Sequence, residues 1–178
     1  DWWGCWQYDQ TPPGDYARGF ALKARAKTQV PMLTYYILLQ ASGVGEGAPE
    51  VVVANDVAFM RRYYADWRFL LQQVGMSAAL LHIEPDFWGY AQRVNADPHA
   101  IQAAVASANP ADCSGMESSI AGMGRCLIAM ARLYAPNARV GLHASAWATG
   151  FDVSLNMNQA FDVQGDAAKV GAFLLECG

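Results

Sequence analysis

Apolar positions along this chain switch repeatedly between helical spacing and short unbroken runs. Tyr16, Phe20 and Ala24 recur every four residues and predict a helix from Asp15 to Thr28. Val30 to Leu39, VPMLTYYILL, is rich in β-branched and aromatic residues and predicts a buried strand. QASGVGEGAPE follows, a glycine-rich stretch that predicts an irregular loop. Asn55 or Asp56 is placed to cap the next helix, whose apolar face carries Phe59, Tyr63, Trp67, Leu70, Leu71 and Val74, and Gly75 is placed to end it. Ala78 to Glu84 predicts a second strand, nearly continuous in apolar residues, as expected where helices cover both faces of a sheet.

Residues 91 to 114 predict a long connection with a short helix at His99 to Ala106; connections of that length are often functional. A further helix is predicted from Met116 to Tyr134, with Ile120, Met123, Leu127 and Met130 inward and Pro136 and Asn137 ending it. Arg139 to Ala146 predicts a third strand and Phe161 to Gln164 a shorter fourth, before a helix from Asp166 to Glu176. Strands alternating with long helices imply an α/β fold with parallel strands and right-handed crossovers. Without a linker or repeat, residues 1–178 are expected to form a single domain. The expected architecture is part of a (β/α)8 barrel of the TIM type, with a doubly wound α/β sheet as the alternative. A complete barrel takes roughly 250 residues, so a second copy or a further segment is expected to complete it.

Composition narrows the classes. Of 178 residues 53% are hydrophobic and 16% charged, which fits a folded core and excludes a disordered chain. A net charge of −4 leaves no electrostatic footprint for nucleic acid. No apolar run is long enough to cross a membrane. Cys5, Cys113, Cys126 and Cys177 match no zinc-site spacing, and Cys113–Cys126 is the plausible local disulfide. An even cysteine count allows disulfides in an exported protein, secreted or periplasmic, and the first residues form neither a basic nor an apolar leader, so that any signal peptide is expected to have been removed.

In parallel α/β folds the reactive groups gather at the C-terminal ends of strands. The first predicted strand ends with Tyr35, Tyr36 and Gln40, the second with His82, Glu84 and Asp86, and the third with His143, Ser145 and Trp147. Glu84 closes the apolar run ALLHI, where desolvation raises a carboxyl pKa into the range of a general acid. Pro85 is expected to hold Glu84 extended, leaving Asp86 on the same side as a base or stabiliser. The competing reading is structural: a helix cap or an arginine partner for the carboxylates, hydrogen-bonded core positions for the histidines. Ser145 lies in LHASAW rather than a G-x-S-x-G elbow, and GVGEG lacks the spacing of a nucleotide cradle. Trp88, Trp147 and the group Trp2, Trp3 and Trp6 offer faces for stacking on sugars, whereas Trp67 sits on the apolar face of a helix.

Two stretches, LHIEPDFWGY and VGLHASAW, with the helix between them, resemble the central part of family-six glycoside hydrolases. The likeness implies a distorted (β/α) barrel acting on β-1,4-glucan with inversion. It makes Asp86 a substrate-binding or supporting carboxylate and puts the proton donor on the loop after the preceding strand. In ILLQASGVGEG the only acidic residue is Glu46. The form of IEP is also similar to retaining barrel glycosidases, in which the glutamate is the acid/base, and that likeness assigns the role to Glu84.

The expected function is therefore a glycoside hydrolase acting on a polysaccharide, a β-glucan such as cellulose. Glu84 is the expected proton donor with Asp86 assisting, and Tyr36, Gln40, Trp88, His143, Ser145 and Trp147 line the sugar subsites. No cofactor or metal is expected, and the partner is a polysaccharide or oligosaccharide rather than nucleic acid or membrane. The alternatives are a non-catalytic carbohydrate-binding or structural barrel module, and a metal-dependent hydrolase using His82, Glu84, Asp86 and His143.

Overall fold

Three short parallel strands lie side by side in chain order in the computed structural model, which describes residues 12–178. Helix α1 (Asp15–Ala26) leads into β1 (Met32–Tyr35), followed by α2 (Ile37–Ser42), α3 (Ala48–Val53) and α4 (Val57–Val74). Then come β2 (Ala79–Ile83), α5 (Phe87–Val94), a 3₁₀ turn (Pro98–Ala100), α6 (Ile120–Tyr134), β3 (Ala138–Leu142) and α7 (Val163–Cys177). The described residues thus form a mixed α/β fold of seven α-helices and a three-stranded parallel sheet. Trp2, Trp3, Cys5 and Trp6 lie outside them.

The register stacks side chains in rows across the sheet. Leu33, Leu81 and Val140 form one row, and Tyr35, Ile83 and Leu142 the next. These rows face the helices and belong to the main core or pack on it. Period-two alternation sends the intervening rows to the other face: Met32, Leu80 and Arg139, then Thr34, His82 and Gly141. Met32 is 57% and Leu80 43% exposed. The expectation of helices on both faces is corrected: the described residues bury one face only.

Helix α4 follows its sequence pattern closely. The Asp56 carboxylate accepts from the Ala58 and Phe59 amides at 2.8 and 3.0 Å, satisfying donors the first turn leaves free. Met60, Tyr63, Tyr64, Trp67, Leu70, Leu71 and Val74 are buried along one face, and Gly75 ends the helix at φ 52°. The Trp67 indole donates to the Leu127 carbonyl at 3.1 Å, tying α4 to α6.

Several predicted boundaries are corrected. The run after Tyr35 leaves the sheet, so Ile37–Ser42 is helical rather than strand, and part of the expected glycine-rich loop forms α3. There Glu50 reaches back to the Gly47 amide at 2.8 Å, and Gly47, at φ 108° and ψ −142°, occupies a conformation suited to glycine. The expected helix at His99 to Ala106 is a single 3₁₀ turn. Helix α6 begins at Ile120, where Ser119 caps the Gly122 amide, not at Met116. Phe161 to Gln164 is no strand: Asp162 caps the Gly165 amide at 2.8 Å and α7 starts at Val163.

The long connection is pinned rather than loose. Cys113 and Cys126 form the expected disulfide. The Arg68 guanidinium donates to Asp112 and Asn109, both at 2.9 Å, and the Tyr134 hydroxyl donates to Asp112 at 2.8 Å. No helix among the described residues is long and apolar enough to cross a membrane.

Candidate functional site

The chain leaves β2 through an unusual turn. Glu84 has φ 47° and Asp86 φ 66°, both in the left-handed half that favours glycine. The Phe87 amide donates to the Pro85 carbonyl at 2.8 Å, closing a γ-turn around Asp86. Such residues cost about 1–3 kcal/mol each and persist where their surroundings over-determine them. The surroundings here are specific: Glu84 N–H donates to the Tyr35 carbonyl at 2.7 Å, and the Trp88 indole donates to the Ile83 carbonyl at 3.0 Å. The expected extended backbone at Glu84 is therefore corrected. The reversal sends Glu84 and Asp86 into different environments instead of onto one side.

Glu84 turns into the core and is fully buried. One carboxyl oxygen accepts from the Ile37 and Leu38 amides at 3.0 and 3.2 Å, the free donors of the first turn of α2. Burial pushes its pKa up to about 8, the two amides pull it down, and the Glu50 charge adds to the rise. The Tyr63 hydroxyl is close enough to favour the Glu84 charge, yet their geometry falls short of a hydrogen bond. Nearby, burial raises Asp66 to about 6, partly offset by the Tyr35 hydroxyl that donates to it at 2.8 Å. A proton donor must touch its substrate. Glu84 touches α2, and its role shifts from the expected donor to the group that holds that helix against β2.

Asp86 turns the other way and its side chain is 35% exposed. The Ser145 hydroxyl donates to Asp86 Oδ1 at 3.3 Å, and His143 Nε2 lies 3.7 Å from the same oxygen. His143 Nδ1 and His82 Nε2 are 2.9 Å apart, and His82 Nδ1 is 3.3 Å from Thr34 Oγ1. Burial and the neighbouring His143 hold His82 below the usual imidazole range. All three strands thus contribute to one polar line at their C-terminal ends.

Beside Asp86 stands a partly aromatic, acidic wall. The Tyr36 hydroxyl donates to Glu46 at 3.3 Å. Burial raises the pKa values of Tyr36 and Tyr90, and the charges of Glu46, Glu50 and Asp86 act on both. The Tyr90 and Trp147 rings pack with centroids 4.5 Å apart, and the Arg93 guanidinium lies 6.0 Å from the Trp147 ring centroid. Beyond Trp147 a cleft of about 640 Å³ opens between α5 and α7, lined in part by Arg93, Thr149, Lys169 and Phe173. Asp86 does not line it, so the cleft adjoins the carboxylate site without containing it.

Of the predicted residues, Asp86, His143 and Ser145 come together, with Tyr36 within electrostatic reach and Trp147 against Tyr90. Gln40 is half-buried on α2. Trp88 is corrected: only 1% exposed, it packs in the core and cannot stack on a sugar. Thr34, Glu50, Tyr90 and Arg93 were not singled out by sequence. Reading D-F-W-G-Y as the start of a helix would have placed Tyr90 one turn after Asp86, on the same side.

Among the described residues, no group of three or more His, Cys, Asp or Glu side chains is arranged to hold a metal ion. Glu84 faces the core, and the two histidines spend their facing nitrogens on each other. Comparisons with protein-family models, curated proteins and solved structures return no match for this chain.

Proposed function

We propose that this chain is a glycoside hydrolase acting on a β-glucan, with Asp86 as the carboxylate that exchanges a proton at the sugar. The observation that carries the reading is the half-exposed Asp86 at the end of the central strand, held by Ser145 and flanked by Tyr36, Tyr90 and Trp147. Aromatic faces stack on the apolar C–H faces of sugar rings while carboxylates handle hydroxyls and the glycosidic oxygen, the division of labour glycosidases need. Glu46, on the loop between α2 and α3 and hydrogen-bonded to Tyr36, is the second carboxylate of this proposal.

The architecture we propose is a segment of a (β/α) barrel. Parallel strands in sequential order have no switch point, whereas a doubly wound sheet reverses its order at one. Right-handed crossovers then put both connections on one face. In such a barrel Thr34 and His82, near the C-terminal ends of their strands, would stand at the mouth that carries the active site and stays open to solvent. The compartment we propose is secreted or periplasmic, with which the Cys113–Cys126 disulfide is compatible.

The test is release of reducing ends from carboxymethylcellulose and mixed-linkage β-glucan by the wild type and by Asp86→Asn. Turnover abolished in the variant supports the assignment; turnover unchanged in the variant, or absent in the wild type, overturns it. The burial of Glu84 favours a second reading, a non-catalytic carbohydrate-binding module. Binding of cello-oligosaccharides without turnover, lost in Trp147→Ala, would establish that reading instead.

A further inference from the structure

A line of polar side chains runs from Asp86 back across the sheet, with only its first step longer than a hydrogen bond. It joins Asp86, His143, His82 and Thr34, one or two groups from each strand end, at successive separations of 3.7, 2.9 and 3.3 Å. We propose that His82 and His143 form a one-proton relay that orients Asp86 and exchanges its proton with solvent at the open face of the sheet. The proposal rests on the reading of Asp86 as the carboxylate that moves a proton.

The chemistry follows from the facing nitrogens. At 2.9 Å, His82 Nε2 and His143 Nδ1 have room for one hydrogen between them. Two fully protonated rings would set N–H against N–H, so the pair holds its two imidazoles to a single shared proton. One arrangement satisfies every contact with both rings neutral. Thr34 O–H donates to His82 Nδ1, His82 Nε2–H donates to His143 Nδ1, and His143 Nε2–H is left for the Asp86 carboxyl 3.7 Å away. The lowered basicity of His82 agrees with a neutral ring. The 3.7 Å step is longer than a hydrogen bond and needs a small side-chain rotation or one bridging water.

Loading Asp86 balances without any other reactant. A solvent proton binds His82 Nδ1, the His82 Nε2 proton crosses to His143 Nδ1, and the His143 Nε2 proton passes to Asp86 Oδ1. Both rings end neutral with their protons on Nδ1, and Thr34 turns its lone pair toward His82. The reverse sequence unloads Asp86. His82 is half-buried and Thr34 exposed, so the solvent end of the line is open among the described residues. Ser145, 3% exposed, donates to the same Asp86 Oδ1.

The chain has three histidines, His82, His99 and His143, so ¹⁵N-histidine labelling of the full chain isolates the relay. His99 is paired with Glu117 and Glu176 and serves as the internal reference. At neutral pH the relay requires His82 and His143 both to show the Nε2–H tautomer. Asp86→Asn should change the tautomer populations of both rings, including His82, which does not touch Asp86, and leave His99 unchanged. A His82 spectrum indifferent to Asp86→Asn overturns the relay, as does titration of the two rings to two full, independent positive charges. Should Asp86→Asn fail to fold, Thr34→Val reads the same coupling from the other end: His143 must respond, and its indifference overturns the proposal. His143→Gln should lower kcat on carboxymethylcellulose about tenfold to hundredfold with KM little changed. Coupled spectra without any turnover leave the relay standing and remove the hydrolase reading. Turnover that depends on Asp86, with uncoupled spectra, does the opposite.

Discussion

Gly89 and Ser145 approach so closely that a Cβ on Gly89 would stand 2.8 Å from both the Cβ and the Oγ of Ser145. The same Cβ would meet the Trp147 ring at 3.0 Å. This contact seats α5 against the segment after β3, and so brings Ser145 to Asp86 and Trp147 to Tyr90. The missing side chain is a condition of the site.

Gly89→Ala therefore separates site assembly from helix propensity. In an exposed helix interior the change would stabilise by about 0.5–1 kcal/mol. Here Ser145 Cβ is next to the backbone and cannot swing aside, so overpacking by about 1–3 kcal/mol should win. We expect a lower denaturant midpoint and weakened cello-oligosaccharide binding. A rise in stability with binding intact would show that α5 and the β3 loop are free to part.

Glu84 predicts a specific pH dependence of stability. Its pKa lies near 8 in the folded protein against 4.5 ordinarily, so between these values the folded state holds the proton more tightly than the unfolded chain. Its contribution is fully present below the ordinary value and is lost as pH rises through the folded one. Asp66, raised from 3.8 to about 6, acts with the same sign over a lower window. Unfolding free energy should fall by a few kcal/mol from mildly acidic to mildly alkaline pH, on the order that such shifts imply. Glu84→Gln keeps an acceptor for the Ile37 and Leu38 amides and should flatten the upper part of that slope. An unchanged slope in the variant would mean that Glu84 is not the titrating group.

The different fates of Glu84 and Asp86 show which parts of this structure were legible in the sequence. Helix α4 could be read because its cap, Asp56, its apolar stripe and its stop, Gly75, are all local. β2 and the disulfide were equally legible, as was the concentration of polar groups at the strand ends. Helix α2 was not, because its first amides are satisfied by a carboxylate 46 and 47 residues away in sequence. The local preference of a residue before proline is for extended backbone. The Tyr35 carbonyl, the α2 amides and the Trp88 indole together overrule it. Parity along a strand placed Glu84 and Asp86 side by side, and parity ends where the strand does.

Trp88 and Trp147, both singled out as sugar-stacking candidates, should answer mutation in opposite ways. Trp88 is buried and donates to the carbonyl of Ile83 directly before the strained turn. Trp88→Ala should cost about 3–5 kcal/mol, as for other large-to-small core changes. Trp147 is half-buried against Tyr90 and Arg93, and Trp147→Ala should leave the unfolding midpoint near that of the wild type while binding of cello-oligosaccharides falls. Paired denaturation and binding titrations check both. A Trp147→Ala protein that unfolds as readily as Trp88→Ala would make Trp147 a packing residue.

The two kinds of cysteine should separate under reduction. Cys113 and Cys126 close a loop with a sequence separation of 13, tying the connection before α6 to that helix. Closing a loop near 15 residues restricts the unfolded chain by about 3 kcal/mol in the chain-entropy description. Cys177 is a free thiol buried against α6, and burial pushes its pKa up to about 12, far from the reactive thiolate range. We expect dithiothreitol to lower stability by a few kcal/mol and to expose Cys113 and Cys126 to maleimide in the partly unfolded protein. Cys177 should stay unlabelled until the fold is lost, with peptide mass spectrometry identifying each site. Labelling of Cys177 in the oxidised native protein would show that the α6–α7 contact opens readily, and α7 would then be the first element to leave.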